Sequence, residues 1–367
     1  MFIDKIEKNS LIRPLQIIGG IIERRQPLPI LSNVLIQKNG SNFRFVSTDL
    51  EIQITTYLGT EQTPSDESIT VAGKKLQEIL RVLPDDSKVS LDIQDSKLQI
   101  KAGKSKFNLQ TLPAEDFPQI SDQLKDAQKV QVKQKQFKEL LGAVQYAMAQ
   151  QDIRYYLNGV LLVIDGKFLK AVATDGHRLA FSSIELSGTY NKREIILPRK
   201  TIGELFKLLS DTEDEITLEL AETQVRMVLS DVTISSKVID GKFPDYGKVI
   251  PSYSNHLVLP RLPILQALQR VSILSNEKFR GVRLVLTEKN LRIISSNSEQ
   301  EEAQEDMETD YHGPGLDVGF NVNYLLDGLN NISSQNVVFS FGDPNSSVLI
   351  TIPDDENFKY VIMPMRI

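Results

Sequence analysis

The chain contains no cysteine. That removes disulfides, thiolate metal sites and a cysteine nucleophile, and it fits a reducing cytosol. Long apolar runs are missing too. The longest clean stretch, residues 160–164, has the length of a strand and is far too short to cross a bilayer. The opening Met1-Phe2-Ile3-Asp4-Lys5 has no basic segment followed by an apolar one, so no signal peptide is expected. No P-loop and no Gly-x-Gly-x-x-Gly occurs, which argues against nucleotide hydrolysis. Positive charge is not in excess. The 42 Lys and Arg residues face 48 Asp and Glu, for a formal net charge of −6. A protein that grips nucleic acid mainly by neutralising phosphates is strongly basic. Any nucleic-acid role here must therefore rest on local basic faces or on geometry.

What the chain does have is repetition. Its 367 residues suggest two or three domains, and the 41 % of apolar residues suffices for a core in each. One phrase occurs three times: Val46-Ser47-Thr48-Asp49, Val172-Ala173-Thr174-Asp175 and Ile294-Ser295-Ser296-Asn297. A second phrase keeps nearly the same rhythm: Asp116-Phe117-Pro118, Lys242-Phe243-Pro244 and Ile362-Met363-Pro364. The period is that of a whole domain rather than a solenoid repeat. Three like domains are expected, at residues 1–124, 125–250 and 251–367. Such a chain is better suited to enclosing or bridging something than to housing one catalytic cleft.

Each module reads as two halves, each a helix followed by strands. The first helix carries Leu11, Leu15, Ile18 and Ile22 at helical spacing, with Ser10 as its expected N-cap and Pro14 in its first turn. Asn39-Gly40 and Asp165-Gly166 lie between apolar runs and predict hairpin turns. One helix per two or three strands implies an α+β fold with largely antiparallel sheets and helices on one face.

Several longer runs resemble the bacterial β sliding clamp, the β subunit of DNA polymerase III. They are residues 151–159 (Gln151-Asp152-Ile153-Arg154-Tyr155-Tyr156-Leu157-Asn158-Gly159), residues 173–180 around Thr174-Asp175-Gly176-His177-Arg178-Leu179, residues 274–284, and the ending Val361-Ile362-Met363-Pro364-Met365-Arg366-Ile367. The resemblance runs from the first helix to the last residue. It implies the DNA-clamp fold, with three like domains per chain, helices lining the inside and antiparallel sheets outside, in a ring-shaped head-to-tail homodimer. It implies a cytoplasmic, nucleoid-associated processivity factor with no catalytic site, cofactor or metal. The implied partners are a second copy, double-stranded DNA and primer-template, the replicative polymerase catalytic subunit and the clamp loader. Other polymerases, mismatch-repair and ligase proteins would bind through short linear peptides, and no membrane is involved. Size agrees. Domains of ~120 residues are roughly 35 Å across, so three span about 100 Å, and a ring admitting duplex DNA needs roughly 220 Å of mid-wall circumference. Two chains would supply it.

Three sets of residues follow. The resemblance implies a partner-peptide groove walled by Leu157, Thr174, Gly176, His177, Arg178, Leu179, Pro244, Lys248, Val249, Asn345, Ser347, Val361, Ile362, Met363, Pro364, Met365 and Arg366. Methionines flanking a proline near the chain end suit a surface that accepts several ligands. Lys248 stands where the commonest family pattern has arginine, and Asn345 where it often has valine, which bears on peptide preference. Read as chemistry, Asp175 and His177 would be the acid–base pair of a hydrolase, but they lie two apart around a glycine with no nucleophile signature nearby. A DNA-facing set comprises Arg24, Arg25, Lys74, Lys75, Gln150, Gln151, Arg154, Tyr155, Tyr156, Arg199 and Lys200, a mixture of cations at helix starts and a polar, aromatic stretch. A dimer-interface set pairs Lys104, Lys106 and Leu109, on what reads as one late strand with Lys101, with Ile273, Leu274, Glu299, Glu301, Glu302 and Glu305. Opposite charge at opposite ends of one chain fits a head-to-tail contact. The competing reading is a peptide-binding adaptor that never encircles DNA.

Overall fold

The computed structural model describes residues 2–22, 28–60, 65–121 and 123–366. Arg24, Arg25 and Ile367 lie outside the described residues. Six α-helices occur among those described: α1 (Lys8–Ile18), α2 (Gly73–Val82), α3 (Gln134–Gly142), α4 (Arg199–Leu208), α5 (Arg261–Val271) and α6 (Val322–Asn330). They fall two to a module. Each buries one apolar stripe, such as Leu11, Leu15 and Ile18 on α1 and Ile264, Leu265, Leu268 and Val271 on α5. That spacing places the buried side chains over successive turns of one face.

The described strands form three antiparallel sheets, of twelve, six and four strands. Two compact units result, residues 1–135 with 203–238, and residues 136–202 with 239–367. The first unit holds the twelve-stranded sheet. There the strand Ile52–Gly59 pairs with Val232–Lys237, in the register Ile52 to Ser236 and Ile54 to Ile234. The second unit holds the other two sheets. In its six-stranded sheet Arg178–Pro198 pairs with Asp355–Ile362, in the register Arg178 to Ile362 and Ala180 to Tyr360. Hydrogen-bonded sheet thus continues across the positions expected as module boundaries.

Four details differ from the sequence reading. Helix α1 begins at Lys8, flanked by Glu7 and without a side-chain cap, so Ser10 is not its N-cap. Tertiary contacts set this start. Lys8 is buried, its N–H reaches Ser87 O at 3.0 Å, and its ammonium donates to Leu83 O at 2.6 Å and Asp85 Oδ1 at 2.8 Å. Pro14 consequently lies inside the helix, beyond its first turn. Second, the Asp165-Gly166 position falls within one extended element, Gly159–Thr174, where the register against Arg178–Pro198 breaks. Gly166 has φ 59°, which permits that break without Cβ strain. Third, Lys101, Lys104 and Lys106 do not share a strand. Gly103, at φ 56°, turns the chain, so Lys101 ends one strand and faces Lys106 on the next. Fourth, Ile362-Met363-Pro364 is not the counterpart of Lys242-Phe243-Pro244. Met363 N donates to His177 O as Lys237 N donates to Glu51 O, so Met363 matches Lys237 instead.

Candidate functional site

The thrice-repeated phrase builds a turn each time, one residue longer in the third copy. In the first copy Thr48 Oγ1 donates to Ile52 O, while Asp49 Oδ1 accepts from Glu51 N and Ile52 N. In the second, Thr174 Oγ1 donates to Arg178 O at 2.6 Å, and Asp175 Oδ1 accepts from His177 N at 2.9 Å and Arg178 N at 3.0 Å. In the third, Asn297 Oδ1 accepts from Glu299 N and Glu301 N. A short polar side chain that satisfies its own following N–H groups is what makes Thr-Asp and Ser-Asn good turn formers. Asp175 is therefore committed to backbone and to Arg178 Nε, at 3.1 Å, and is not poised as an acid or base.

Around the second copy the described residues form a shallow cleft. Thr174, Gly176, His177, Arg178, Leu179, Val249, Val361 and Met363 line it, and it is small and open to solvent. Leu157, Leu179 and Val361 join Ala149, Phe181 and Phe243 in the apolar cluster of this region. Met363 and Val249 remain 47 % and 41 % exposed. The rim is apolar, and its movable part is a flexible thioether.

The other expected wall residues sit around this cleft in different ways. Pro244 and Lys248 are exposed in the segment leading to Val249, and Lys248 pairs with Asp245 at 3.2 Å. Ile362 is fully buried in the sheet. Pro364 is half-buried at the start of the tail. Met365 and Arg366 line a second cavity, of about 360 Å³, with Asn276, Phe279, Gly281 and residues 296–298. Asn345 is exposed, its N–H bonded to Asp343, and the Ser347 carbonyl accepts from Tyr253 Oη at 2.8 Å.

Behind the cleft Arg178 is the hub. Its guanidinium donates to Asp327 at 2.5 Å and to Tyr146 O at 2.6 Å, and it lies 4.5 Å from the Tyr324 ring centroid. Burial opposes its charge, yet Tyr360, Asp327 and Asp175 together raise its pKa, so it stays protonated. Burial also pushes the Tyr146 and Tyr360 phenols up. Tyr324 and Asp327, on α6, escaped the sequence reading because no local motif marks them. Only the fold brings them to Arg178. A cavity of about 510 Å³ opens here, lined in part by Gln150, Asp152, His177, Arg178, Arg199 and Asp327.

The expected DNA-facing residues divide. Lys74 and Lys75 occupy the first turn of α2. Arg199 opens α4 and donates to Met148 O at 3.2 Å and Ala149 O, neutral partners that leave its charge unbalanced. Lys200 follows it, exposed. Gln150 and Gln151 are exposed, and Gln151 takes φ 53°. Tyr155 is exposed and meets Tyr156 edge to face at 5.9 Å. Arg154 is clasped by Asp152 through Nε at 3.0 Å and Nη2 at 2.8 Å. Hydrogen bonding from Arg154 holds the Asp152 carboxyl down at about 2.

The expected interface residues lie on two edges. Lys104 and Lys106 are exposed on the hairpin that leads into the strand Ser105–Leu112. Leu109 shares a face of that strand with Phe107, which sequence reasoning missed although the alternation marks it. In the second unit Glu302–Glu308 edges the four-stranded sheet. Glu305 is held by Arg270, and Glu301 accepts from Asn297 Nδ2 at 2.6 Å. Glu299 and Glu302 are exposed, Leu274 is half-buried, and Ile273 is 77 % exposed.

Three repeated turns and sheets that continue from module to module describe a chain of three like modules, with a shallow apolar cleft beside the second turn. Comparison with known proteins supplies the family. Models of the DNA polymerase III beta subunit match in order: its N-terminal domain at residues 2–121, its central domain at 131–245 and its C-terminal domain at 248–366. The chain is 42 % identical over 364 residues to the beta sliding clamp of Pseudomonas aeruginosa, covering 99 % of each. To that of Escherichia coli K12 it is 38 % identical over 363 residues, again covering 99 % of each. The crystal structure of the Pseudomonas aeruginosa subunit superposes with a TM-score of 0.96 at 41 % identity, covering 99 % of this chain and 100 % of that one. A griselimycin-bound form of the same species' clamp gives 0.95 at 41 % identity, covering 99 % of both. The chain belongs to the DNA polymerase III beta subunit family, the beta sliding clamps, which are processivity factors and not catalytic enzymes.

Proposed function

We propose that two copies of this chain close head to tail into a ring around duplex DNA, with the helices inside and the sheets outside. The observation that carries this is the pairing shared by the two junctions. The strand after the repeated turn pairs antiparallel with the last long strand of the next module, Ile52 with Ser236 and Arg178 with Ile362. The third module has the same strand, Glu302–Glu308, at a sheet edge, and the first module has the matching strand, Ser105–Leu112. Equivalent pairings fix the alignment. Leu112 opposes Thr70, Ile239 N donates to Ile196 O, and Met365 N donates to Gly319 O. Leu109, Ser236 and Ile362 are therefore counterparts, as are Ile52, Arg178 and Glu301. A third junction built alike sets Leu109 of one copy opposite Glu301 of the next and Phe107 opposite Ala303. Lys106 then falls diagonally between Glu302 and Asp306, where opposite charges support cross-strand pairing. An open edge that would otherwise invite aggregation is covered.

Each copy then presents one groove at its second junction. Its apolar rim and exposed, flexible Met363 fit short linear peptides of the replicative polymerase, the clamp loader and other DNA-processing proteins. Griselimycin, bound by the Pseudomonas aeruginosa clamp, is the natural probe of this groove. No helix among the described residues is long and apolar enough to cross a membrane, and the working compartment is the cytoplasm at the nucleoid.

The register has a direct test, made clean by the absence of native cysteine. Directly opposed antiparallel residues have Cα atoms ~4.5–5.5 Å apart, within disulfide reach. Leu109→Cys combined with Glu301→Cys will form an oxidised covalent dimer. Leu109→Cys combined with Ala303→Cys, two residues out of register, will not. Equal cross-linking of both pairs would refute the proposed junction.

A further inference from the structure

One guanidinium joins the loop read as DNA-facing to the wall of the groove. Besides clasping Asp152, Arg154 donates from Nη2 to the carbonyl of Asp175 at 3.2 Å, in the middle of the repeated turn. The loop that carries it is locked. Asn158 Oδ1 accepts from Asp152 N at 3.0 Å, and its amide returns to Asp152 O at 2.9 Å. Leu157 N donates to Arg154 O at 2.8 Å, so the loop ends in a residue of the groove's apolar floor.

Gly176 leaves room for this contact. A Cβ there would lie 3.0 Å from both Nη1 and Nη2 of Arg154. The backbone at φ 90° favours glycine as well, although the first copy holds Leu50 at φ 78° in the same position. The second copy differs from the first in the guanidinium lying against the turn.

We propose that Arg154 is a positioning residue of the groove, and that a DNA phosphate drawn to Arg154 competes with Asp152 and Asp175 for it and so weakens peptide binding next door. The proposal deepens the groove reading above and rests on it. The chemistry is an exchange of oxygen acceptors. Carboxylate and phosphate both take the guanidinium fork in two parallel bonds. Only the turn loses a tether when the phosphate wins. The coupling is reciprocal, so an occupied groove also disfavours that phosphate contact.

The test measures binding of fluorescently labelled griselimycin to the full chain by anisotropy, free and after loading onto nicked circular duplex DNA. In the wild type the duplex will weaken griselimycin binding several-fold. Arg154→Lys keeps the charge but cannot span both acceptors. It will bind griselimycin about tenfold more weakly without DNA, the loss expected from one charge-assisted hydrogen bond. Loading onto the duplex will then change nothing further. Absence of a DNA effect in the wild type, its persistence in Arg154→Lys, or unchanged affinity in that variant overturns the proposal. Truncation after Ile362 separates the two levels. Binding that survives truncation sinks the groove reading and the proposal with it. Binding lost on truncation but unaltered by Arg154→Lys sinks only the role of Arg154.

Discussion

At the scale of single residues, the repeated turn shows how one backbone solution accommodates different chemistry. Position three of the turn is left-handed in the first two copies, as Leu50 and as Gly176. A branched side chain there carries a cost of roughly 1–2 kcal/mol relative to a right-handed conformation. Leu50→Ala keeps that cost and loses packing, whereas Leu50→Gly removes the cost. Leu50→Gly will therefore be more stable than Leu50→Ala by about 1 kcal/mol, read from urea midpoints at constant m value. An alanine variant of equal or greater stability would show that the turn carries no strain. The Asp152 clasp makes a second prediction. Its hydrogen bonds to Arg154 hold the carboxyl at about 2, below the ordinary value near 4. A depressed carboxylate stabilises the folded state at every pH above its ordinary value, and that contribution fades as pH falls from about 4 through about 2. The Asp152 carboxyl carbon will titrate near 2 in the wild type and closer to 4 in Arg154→Met, as followed by NMR. A midpoint near 4 in both would remove the clasp from solution.

At the scale of elements, legibility followed periodicity. The helical stripes are readable, and so is a hairpin turn at Gly40, because burial repeats at 3.6 residues and hairpin turns need left-handed backbone. Asn39 pairs with Asn42, however, so the turn falls on Gly40-Ser41. Boundaries set by distant contacts are not readable. Nothing near Lys8 announces that its ammonium is taken by Leu83 O and Asp85, so α1 starts three residues before the position that a Ser10 N-cap sets. The same limit hid Tyr324 and Asp327, which meet Arg178 only after about 150 residues of intervening chain have folded. Conversely, the alternation of Ser105–Leu112 itself marks Phe107, which shares a face with Leu109 beside the more conspicuous charges of Lys104 and Lys106. The interface strands permit a sharper statement about elements. If Phe107 and Leu109 form an apolar seam against Ile273 while the lysines only steer, Phe107→Ala will weaken dimerisation far more than Lys106→Ala. Burying an aromatic side chain contributes about 1.5–3 kcal/mol, against less than about 1 kcal/mol for an exposed ion pair. Sedimentation across a dilution series reads both constants. Comparable losses would make the contact electrostatic.

At the scale of the whole molecule, the net charge and the proposed ring describe the same device. An acidic protein cannot hold DNA by counterion release, because that mode needs many phosphate contacts and decays steeply with salt. Enclosure needs none. The cations read as DNA-facing, among them Lys74, Lys75, Arg154, Arg199 and Lys200, are too few to bind tightly, yet they offset the repulsion between a polyanionic duplex and an acidic protein. The two modes separate cleanly in one experiment. Once loaded, the protein will stay on nicked circular DNA in ~0.5 M salt, where a binder with six or more phosphate contacts would have dissociated. Linearising that DNA with a single cut will release it at unchanged salt, since a ring slides off an end. Retention on the linear form at high salt would point to a specific site on the duplex. Loss from the circle as salt rises would return the protein to ordinary electrostatic binding. The Leu109→Cys, Glu301→Cys dimer tightens the case further. Oxidised after loading, it will survive on the circle even under conditions that dissociate the unlinked dimer, because only a covalently closed ring remains trapped when its interfaces are weakened.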